Sequence, residues 1–330
     1  MTQLSLICTV RDEADNIAAL LDSILRQTRR PDEIVINDCQ SRDATPAMVR
    51  AYAAREPRIR LVTGGFNIAS GRNSAIRQAR GRLIACTDAG LTLDPGWLAA
   101  IIAPIEADHA DLVGGFYAPA PTTPFEIALG ATNFRTQAEI DPQRFLPAGN
   151  SMAFRKAVWD EVGGFPEWAS HCEDLLFDMA AEHAGFRRAY APNAIVHFRP
   201  RANFRAFARQ YYWYARGDGL ANLWPRRHAA RYLAYSGLVG LALIVRRHPS
   251  LRFPSSLLIA LGSAAYMRSP YRRLWSQRAA HDCLTHLQML ALLPLIRLVG
   301  DVAKMVGYPV GVVQRWRSGG GKPTSIPHVL

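Results

Sequence analysis

The chain has 330 residues, which is enough for one large domain and a smaller second region. Its charge is uneven, because residues 1–200 carry 20 Lys and Arg against 24 Asp and Glu, whereas residues 201–330 carry 19 against 3. The five cysteines are scattered without a CxxC pair, which argues against a zinc site or a disulfide framework and is typical of a reducing compartment. The composition predicts an ordinary enzyme domain followed by a basic region that seeks an anionic partner.

Short apolar runs alternate with helical periodicities through the first 110 residues. Arg11, Asp12 and Glu13 interrupt the first run, which therefore does not fit a signal peptide. Helices are expected after Glu13, from a cap at Thr45, from a cap at Ser70 and from Asp94-Pro95. Such alternation predicts an α/β fold with a doubly wound, mostly parallel sheet. The predicted strands are Leu4–Val10, Glu33–Ile36, Arg60–Thr63 and Leu83–Cys86.

The alternating pattern loosens after Asp111–Phe116. Ala118–Pro124 is rich in proline and is expected to be a loop. The remaining elements expected up to residue 216 are a small strand ending at Phe154, helices at Lys156–Val162 and from Glu173, short strands at Arg187–Tyr190 and Ala194–His197, and a basic aromatic helix at Phe204–Arg216.

The C-terminal region combines apolar runs with arginines. Tyr232–Val245 and Phe253–Met267 are each shorter than the roughly 20 residues that span a bilayer upright. Charged residues break a third run, Leu287–Val313. These runs fit a re-entrant hairpin with interfacial helices, or a soluble helical subdomain docked on the sheet, and the basic charge favours the membrane. Ser318–Pro323 is expected to be disordered.

Acidic residues mark the ends of two predicted strands and the start of one helix. Asp38 and Asp88 follow strands, and ligands bind beyond the carboxyl ends of strands in open α/β sheets. A nucleotide diphosphate needs acceptors for its base and ribose, which suits Asp38 and Asp88, and cations for its phosphates, which suits Arg11, Arg72 and Arg216. Transfer to a hydroxyl needs a general base, and Asp174 suits that task.

Several motifs, taken in order, resemble the family 2 glycosyltransferases, which have the GT-A fold. The resemblance covers roughly residues 1–220, and Asp88-Ala89-Gly90 falls on the family's Asp-x-Asp motif. Gly90 replaces the second Asp, so the metal has fewer ligands or is not needed. Gln210–Tyr214 matches the Gln-x-x-Arg-Trp motif of processive members only in part. The other matching segments are Thr9–Glu13, Asn37–Thr45 with Cys39 at its second Asp, Gly71–Asn73, Ala79–Gly81, Gly149–Arg155, Gly163–Phe165 and Glu173-Asp174.

The resemblance implies an inverting glycosyltransferase with Asp174 as general base, acting in cell-envelope glycan or glycolipid synthesis. Mg²⁺ or Mn²⁺ is expected on Asp88 with His197. The implied partners are a nucleotide-sugar donor, a glycan or lipid-linked acceptor and an anionic membrane surface, at the cytoplasmic face of the cell membrane and without nucleic acid. The implied domains are 1–220, a helical region at 221–317 and a tail at 318–330. The donor side is assigned to Thr9, Arg11, Glu13, Asp38, Arg72 and Asp88, and the acceptor side to Gly149, Asn150, Glu173, Gln210 and Trp213.

Some of these acidic and histidine residues also have a purely structural interpretation. Asp94 fits a helix cap, Asp43 fits a loop stabiliser, and His197 fits a hydrogen-bonded structural histidine. Gly90 also motivates a degenerate relative that binds a nucleotide or sugar without turnover. The apolar runs disfavour a nucleic-acid platform, and the missing GxGxxG after the first strand disfavours a dinucleotide-dependent dehydrogenase.

Overall fold

The computed structural model describes residues 3–169, 171–280 and 282–318, which form two compact units. The first unit comprises residues 3–120 and 137–199, and the second comprises residues 121–136 and 200–318. The predicted domain boundaries stay a prediction, although these units group residues 121–136 and 200–220 with the C-terminal helices. The predicted tail lies outside the described residues apart from Ser318.

The first unit contains one eight-stranded sheet of order β3-β2-β1-β4-β7-β6-β8-β5. Four of its seven strand pairings are parallel, and β7 runs antiparallel to both β4 and β6. The prediction of a mostly parallel α/β sheet is therefore confirmed, although parallel and antiparallel pairs are mixed in the half of the sheet that contains β5 to β8. The strands are β1 Leu4–Val10, β2 Glu33–Asp38, β3 Ile59–Thr63, β4 Leu83–Asp88, β5 Leu91–Leu93, β6 Leu112–Pro119, β7 Ser151–Arg155 and β8 Arg188–Phe198.

The predicted strands differ from the structure in the mixed half. β8 is one strand rather than two, because its pairing with β6 passes from Ala191 to Ile195 across a register shift at Gly115 and Phe116. Pro192 falls in the skipped segment, where its missing N–H costs no ladder hydrogen bond. β6 ends at Pro119, inside the stretch Ala118–Pro124 that was predicted as a loop. β5 was not predicted, because its three residues are too few to show a strand period.

Eleven α-helices lie within the described residues, and α5 was not predicted. α5 begins at Pro124, where the Thr123 side chain accepts a hydrogen bond from Glu126 N. The helices are α1 Ile17–Leu25, α2 Thr45–Ala53, α3 Ile68–Gln78, α4 Trp97–Glu106, α5 Pro124–Asn133, α6 Lys156–Val162, α7 Glu173–His183, α8 Phe204–Leu220, α9 Pro225–Arg247, α10 Arg252–Trp275 and α11 Cys283–Arg317.

Three predicted caps were wrong in detail. Thr45 lies inside α2, and Asp43 Oδ1 accepts hydrogen bonds from its N–H and hydroxyl. Asn67 caps α3, with Ser70 as the reciprocal member of a capping box. Asp94 does not cap α4, which begins at Trp97, because its carboxylate pairs with His197.

The two faces of the sheet form separate cores in the first unit. Leu6 and Cys8 of β1 join the core that contains α1, α2 and α4, whereas Ile7 joins the core that contains α3, α6 and α7. This alternation follows from the two-residue period of a strand. Helices on both faces fix the carboxyl ends of β1, β2 and β4, where the polar residues lie.

The second unit is helical, and glycines bring α8 and α11 together. A Cβ at Gly307 or Gly311 would collide with the backbone oxygen of Tyr212 or Arg216, and one at Gly219 would collide with that of Tyr308. Small residues therefore let the two helix backbones approach closely. The apolar core of this unit also includes residues of α5 and α10.

α9 and α10 expose much of their apolar surface. Leu233 and Phe253 are 73% and 79% exposed. Within the described residues, Pro225–Arg247 is the one helix with the length and composition to cross a membrane, and 6% of its most apolar window is buried. It is longer than the predicted apolar run because it includes arginines at both ends. Exposed apolar area of this extent marks an interaction surface.

Candidate active site

Three of the predicted donor residues lie at neighbouring strand ends. β1 lies between β2 and β4, so that Val10 pairs with Asp38 and Thr9 pairs with Asp88. Asp38 is 5% exposed, and its two carboxylate oxygens accept hydrogen bonds from Ser41 N at 3.3 and 3.2 Å. Thr9 Oγ1 is buried without a hydrogen-bond partner among the described residues. The parallel register thus brings residues far apart in sequence to one edge of the sheet.

The loop after β1 is held to the loop after β2. Asp43 Oδ2 accepts a hydrogen bond from Ala14 N at 2.9 Å, and Glu13 N donates to Thr45 Oγ1 at 2.8 Å. Glu13 Oε2 accepts from Asn16 Nδ2 at 2.7 Å. The Arg11 side chain is 54% exposed. Asp43 therefore stabilises its loop, whereas Arg11 reaches solvent.

Arg72 is the centre of the cluster. Its side chain is 3% exposed, and its Nη2 donates to both Asp88 oxygens at 2.9 and 3.0 Å. Its Nη1 donates to Glu173 Oε1 at 2.7 Å. One guanidinium therefore joins the end of β4 to the start of α7, across 101 residues of sequence. Arg72 was predicted to contact donor phosphates, and that role stays a prediction; in the structure its guanidinium is buried between two carboxylates.

Gly149 connects this cluster to Asp174. A Cβ at position 149 would lie 2.5–2.7 Å from the guanidinium atoms of Arg72, so the position has no room for a side chain. The Gly149 N–H donates to Asp174 Oδ2 at 3.1 Å, and Leu175 N donates to Oδ1 at 2.8 Å. These two backbone N–H groups fix the carboxylate of Asp174, and the residue as a whole is half-buried.

A second contact links two of the sequence motifs. Asn73 Oδ1 accepts hydrogen bonds from Trp159 Nε1 and Phe165 N, each at 2.9 Å. Gly164 has φ +83°, and a Cβ there would lie 2.9 Å from Asn73 Oδ1. The Gly163-Gly164-Phe165 segment thus holds α3, and with it Arg72, in place.

Burial dominates the electrostatics of the cluster. It raises the pKa of Glu173 to about 7, although Arg72 acts in the opposite direction. Burial disfavours the charge on Arg72, but Asp88, Glu173 and Asp174 together raise its pKa above the ordinary value. Arg72 is therefore permanently charged, and Glu173 is the member of the cluster that titrates near neutral pH.

The sequence did not reveal Asp178, one turn beyond Asp174 on α7. Asp178 is 0% exposed, and both of its oxygens lack a hydrogen-bond partner among the described residues. Burial, reinforced by Asp174, raises its pKa well above the ordinary value. Its i, i+4 spacing from Asp174, in a helix whose buried residues include Phe177 and Ala181, was the signal available in the sequence.

Family models match most of the chain. The model of glycosyl transferase family 2 matches residues 5–163, and that of glycosyl transferase family group 2 matches residues 86–299. The chain belongs to the family 2 glycosyltransferases. The order of its motifs, from Thr9 to Asp174, predicted this membership correctly.

Curated relatives of this glycosyltransferase match part of their own length. Glycosyltransferase AglE of Haloferax volcanii is 26% identical over 199 residues, covering 58% of this chain and 65% of the relative. Succinoglycan biosynthesis protein ExoO of Rhizobium meliloti is 35% identical over 119 residues, covering 33% of this chain and 34% of the relative. The chain thus spans less than two thirds of these relatives.

A solved structure shares the GT-A fold of this glycosyltransferase. The mannosyltransferase PcManGT of Pyrobaculum calidifontis, solved with GDP-Man and Mn²⁺, has a TM-score of 0.55 and 19% identity. The match covers 95% of this chain and 86% of that one. The predicted fold is therefore confirmed.

Asp88 and His197 were expected to hold a metal, and this role stays a prediction. The described residues contain no group of three or more His, Cys, Asp or Glu side chains that could hold a metal. Mg²⁺ is commonly bound through one or two carboxylates together with substrate phosphates. Asp88 meets this requirement in part, because its side chain is 26% exposed, although both of its oxygens accept hydrogen bonds from Arg72. His197 fits poorly, because its Nε2 lies 2.8 Å from Asp94 Oδ1, and its metal role stays a prediction.

The remaining acceptor-side residues lie apart in the sequence. Asn150 Oδ1 is buried without a hydrogen-bond partner among the described residues. Gln210 and Trp213 belong to α8 in the second unit, where Gln210 Nε2 donates to Tyr214 OH at 2.8 Å. The Arg216 guanidinium lies 4.7 Å from the Trp213 ring centroid. The acceptor roles of Asn150, Gln210 and Trp213 stay predictions.

Proposed function

We propose that this chain transfers a sugar from a nucleotide-sugar donor to an acceptor hydroxyl with inversion, and that Asp174 is the general base. The fixed, half-buried carboxylate of Asp174 carries the proposal, because Gly149 ties it to the Arg72 cluster that also holds Asp88. A base must have a fixed position and access to the acceptor, and Asp174 meets both conditions.

The strand ends form the donor side. Asp38 and Asp88 supply acceptors for the base and ribose, and the unpartnered Thr9 hydroxyl adds a donor and an acceptor. Arg11 is the exposed cation among the residues assigned to the donor side, and it is suited to donate a hydrogen bond to a phosphate oxygen. Arg72 positions Asp88 and Glu173. Asp88 would hold a divalent cation, which offsets the charge that develops on the leaving diphosphate.

The reaction uses one proton transfer. The acceptor oxygen attacks the anomeric carbon on the face opposite the diphosphate, and Asp174 takes the hydroxyl proton as that bond forms. The bond from the anomeric carbon to the diphosphate oxygen breaks, and a nucleoside diphosphate leaves. Backbone N–H groups of Gly149 and Leu175 donate to the two oxygens of Asp174 and hold the carboxylate in position for this step.

The basic second unit supports a place at the membrane. Its apolar helices are exposed, and arginines flank the apolar part of α9 at both ends. Attraction to anionic lipid would hold the chain at the cytoplasmic face, where nucleotide sugars are available. The similarity to a succinoglycan biosynthesis protein supports an envelope or extracellular glycan as the product.

Release of nucleoside diphosphate tests this function. The full chain is incubated with UDP-, GDP- and dTDP-sugars, with glycan or lipid-linked acceptors, and with or without Mg²⁺ or Mn²⁺. Asp174→Asn should lower kcat by about 10²–10⁴ while leaving the donor-dependent thermal shift unchanged. Asp160→Asn, which changes an exposed carboxylate on α6, is the matched control. Full activity in Asp174→Asn would contradict the assignment of the base.

A degenerate relative that binds without turnover is the second candidate, and Gly90 favours it. Gly90 has φ +80°, and no atom lies within 4 Å of the position that a Cβ would take there, so the second carboxylate of the motif is absent and nothing fills its place. This candidate predicts donor-dependent stabilisation without release of nucleoside diphosphate. Activity that appears only in Gly90→Asp would support it.

A further inference from the structure

The second unit contains a cluster of charged and aromatic side chains that the proposed sugar transfer does not use. Its members come from four helices of that unit, and residues 201–330 hold 19 Lys and Arg against 3 Asp and Glu. The members are Tyr211 of α8, Arg231 and Tyr235 of α9, Tyr266 of α10, and Arg297, Asp301 and Lys304 of α11.

Asp301 is the acidic centre of the cluster, and its charge is already satisfied. It is 2% exposed, and its Oδ1 accepts from Arg231 Nε at 2.9 Å. Its Oδ2 accepts from the hydroxyls of Tyr235 and Tyr266 at 3.1 and 2.5 Å. Asp301 and Arg231 therefore form an ion pair. Asp301 also attracts Lys304, but this single carboxylate faces Arg231, Arg297 and Lys304, so the cluster keeps an excess of positive charge.

Two cations of the cluster remain without a carboxylate. Within the described part of the chain, neither Arg297 nor Lys304 forms an ion pair, and Arg297 Nε is buried with no hydrogen-bond partner. Both sit against aromatic rings instead, with the Arg297 guanidinium 4.8 Å from the Tyr266 centroid and Lys304 Nζ 4.6 Å from that of Tyr211. A partly buried cation is costly unless an anion pairs with it.

The spacing of the two cations suits an extended anion. Arg297 and Lys304 are seven residues apart on one face of α11, which is about 10 Å along the helix axis. Their long side chains allow both to reach the oxygens of one diphosphate or of a phosphate ester.

The helices that carry the cluster also expose apolar side chains. Leu233, Leu298 and Val302 are 73%, 47% and 47% exposed, and each adjoins a cluster residue in sequence or lies on the same helix turn. Tyr266 itself is 50% exposed, so the cluster opens to the surface. A ligand with an anionic head and an apolar chain would satisfy both parts of this surface.

We propose that Arg297 and Lys304 form a phosphate- or diphosphate-binding site in the second unit, and that the ligand is the phosphorylated head of a lipid. That this lipid is the sugar acceptor rests on the proposed function, whereas the binding site itself does not. The Arg231–Asp301 pair and the two tyrosine hydroxyls hold the site in shape, and Arg297 and Lys304 contact the oxyanion.

Binding of defined probes to the full chain in detergent or vesicles tests the site. The probes are inorganic pyrophosphate, phosphatidylcholine vesicles with a polyprenyl phosphate, and phosphatidylcholine vesicles with phosphatidylglycerol. Arg297→Met and Lys304→Met keep the aliphatic stems and should each weaken binding of polyprenyl phosphate about tenfold or more, since a charge-assisted hydrogen bond contributes about 1.5–3 kcal/mol. Arg246→Met, an exposed change on α9, should have no such effect.

The outcomes separate the sources of the anion. If Arg297→Met and Lys304→Met weaken binding of polyprenyl phosphate alone, the result supports a lipid ligand. If they weaken binding of pyrophosphate equally, the result supports the oxyanion site with a soluble ligand. Equal weakening by Arg246→Met, or weakening only towards phosphatidylglycerol, would overturn the site in favour of general surface charge. The donor-dependent thermal shift should persist in Arg297→Met and Lys304→Met, so failure of this inference is distinguishable from failure of the proposed activity.

Discussion

Replacement of Arg72 by methionine should destabilise the protein strongly. The guanidinium is 3% exposed and donates three hydrogen bonds of 2.7–3.0 Å to Asp88 and Glu173. Removing one partner of a buried ion pair costs about 3–5 kcal/mol, because the remaining charges are left without compensation. Asp88 is 26% exposed and water solvates it in part, so most of the loss comes from Glu173, which is 8% exposed. Urea unfolding measures the loss of free energy.

Two further measurements separate this explanation from simple loss of packing. Arg77→Met changes an arginine of the same helix whose side chain is 58% exposed beside Glu167, and it should cost about 1 kcal/mol or less. Glu173→Gln added to Arg72→Met should restore about 0.5–3 kcal/mol, since it removes the uncompensated charge.

The cost should also depend on pH. Burial already raises the pKa of Glu173 to about 7. Without Arg72 this pKa rises further. The contribution of Glu173 to stability is fully present below its unfolded-state pKa of about 4.3 and falls as pH rises towards the folded pKa, in the wild type as well as in Arg72→Met. The wild-type contribution stops falling above about pH 7, so the cost of Arg72→Met should grow from that pH upwards. A cost equal to that of Arg77→Met, or a cost that does not grow between about pH 7 and pH 9, would refute the reasoning.

Three other substitutions test the same region. Gly149→Ala should cost about 1–3 kcal/mol and lower kcat, because its Cβ meets the Arg72 guanidinium at 2.5–2.7 Å; wild-type stability and rate would show that this packing is unimportant. Asp178→Asn should have the stability of the wild type near pH 4 and should become increasingly more stable than the wild type as pH rises. The difference should grow by up to about 1.4 kcal/mol per pH unit between the unfolded pKa and the raised folded pKa of Asp178. A difference in urea-unfolding free energy that does not change with pH would contradict this. Gly90→Asp should lower stability by about 1 kcal/mol through its positive φ while strengthening Mn²⁺ binding measured by calorimetry, and unchanged metal affinity would argue against Asp88 as the ligand.

The sequence predicted the parallel half of the sheet well because local patterns determine it. Each of β1 to β4 is an apolar run followed by polar residues, and helices with apolar periodicity separate these strands. The mixed half was harder, because the pairing of β8 depends on a register shift in β6 that leaves no local pattern. α5 was missed because Pro121 and Pro124 suggested a loop, whereas proline is also favoured in the first turn of a helix.

The candidate site was predicted as a set of residues but not as a network. Asp88, Glu173 and Arg72 each stood out from a motif, yet their ion pairs join positions up to 101 residues apart. Such contacts follow from the packing of α3 and α7 on the sheet, which no short segment encodes. The same packing determines the burial of Arg72 against Asp88 and Glu173, which the sequence did not indicate. Its contact with phosphate stays a prediction.

The position of α5 in the chain has a practical consequence for dissecting the protein. α5 lies between β6 and β7 in sequence, yet its apolar residues Ala128 and Leu129 pack in a core with Phe207 of α8 and Leu293 of α11. A truncated chain that ends at Arg199 would keep every strand of the sheet but would leave this helix without the partners that cover it. Attempts to make the sheet unit alone more soluble by removing the C-terminal helices should therefore also replace residues 121–136 with a short polar linker.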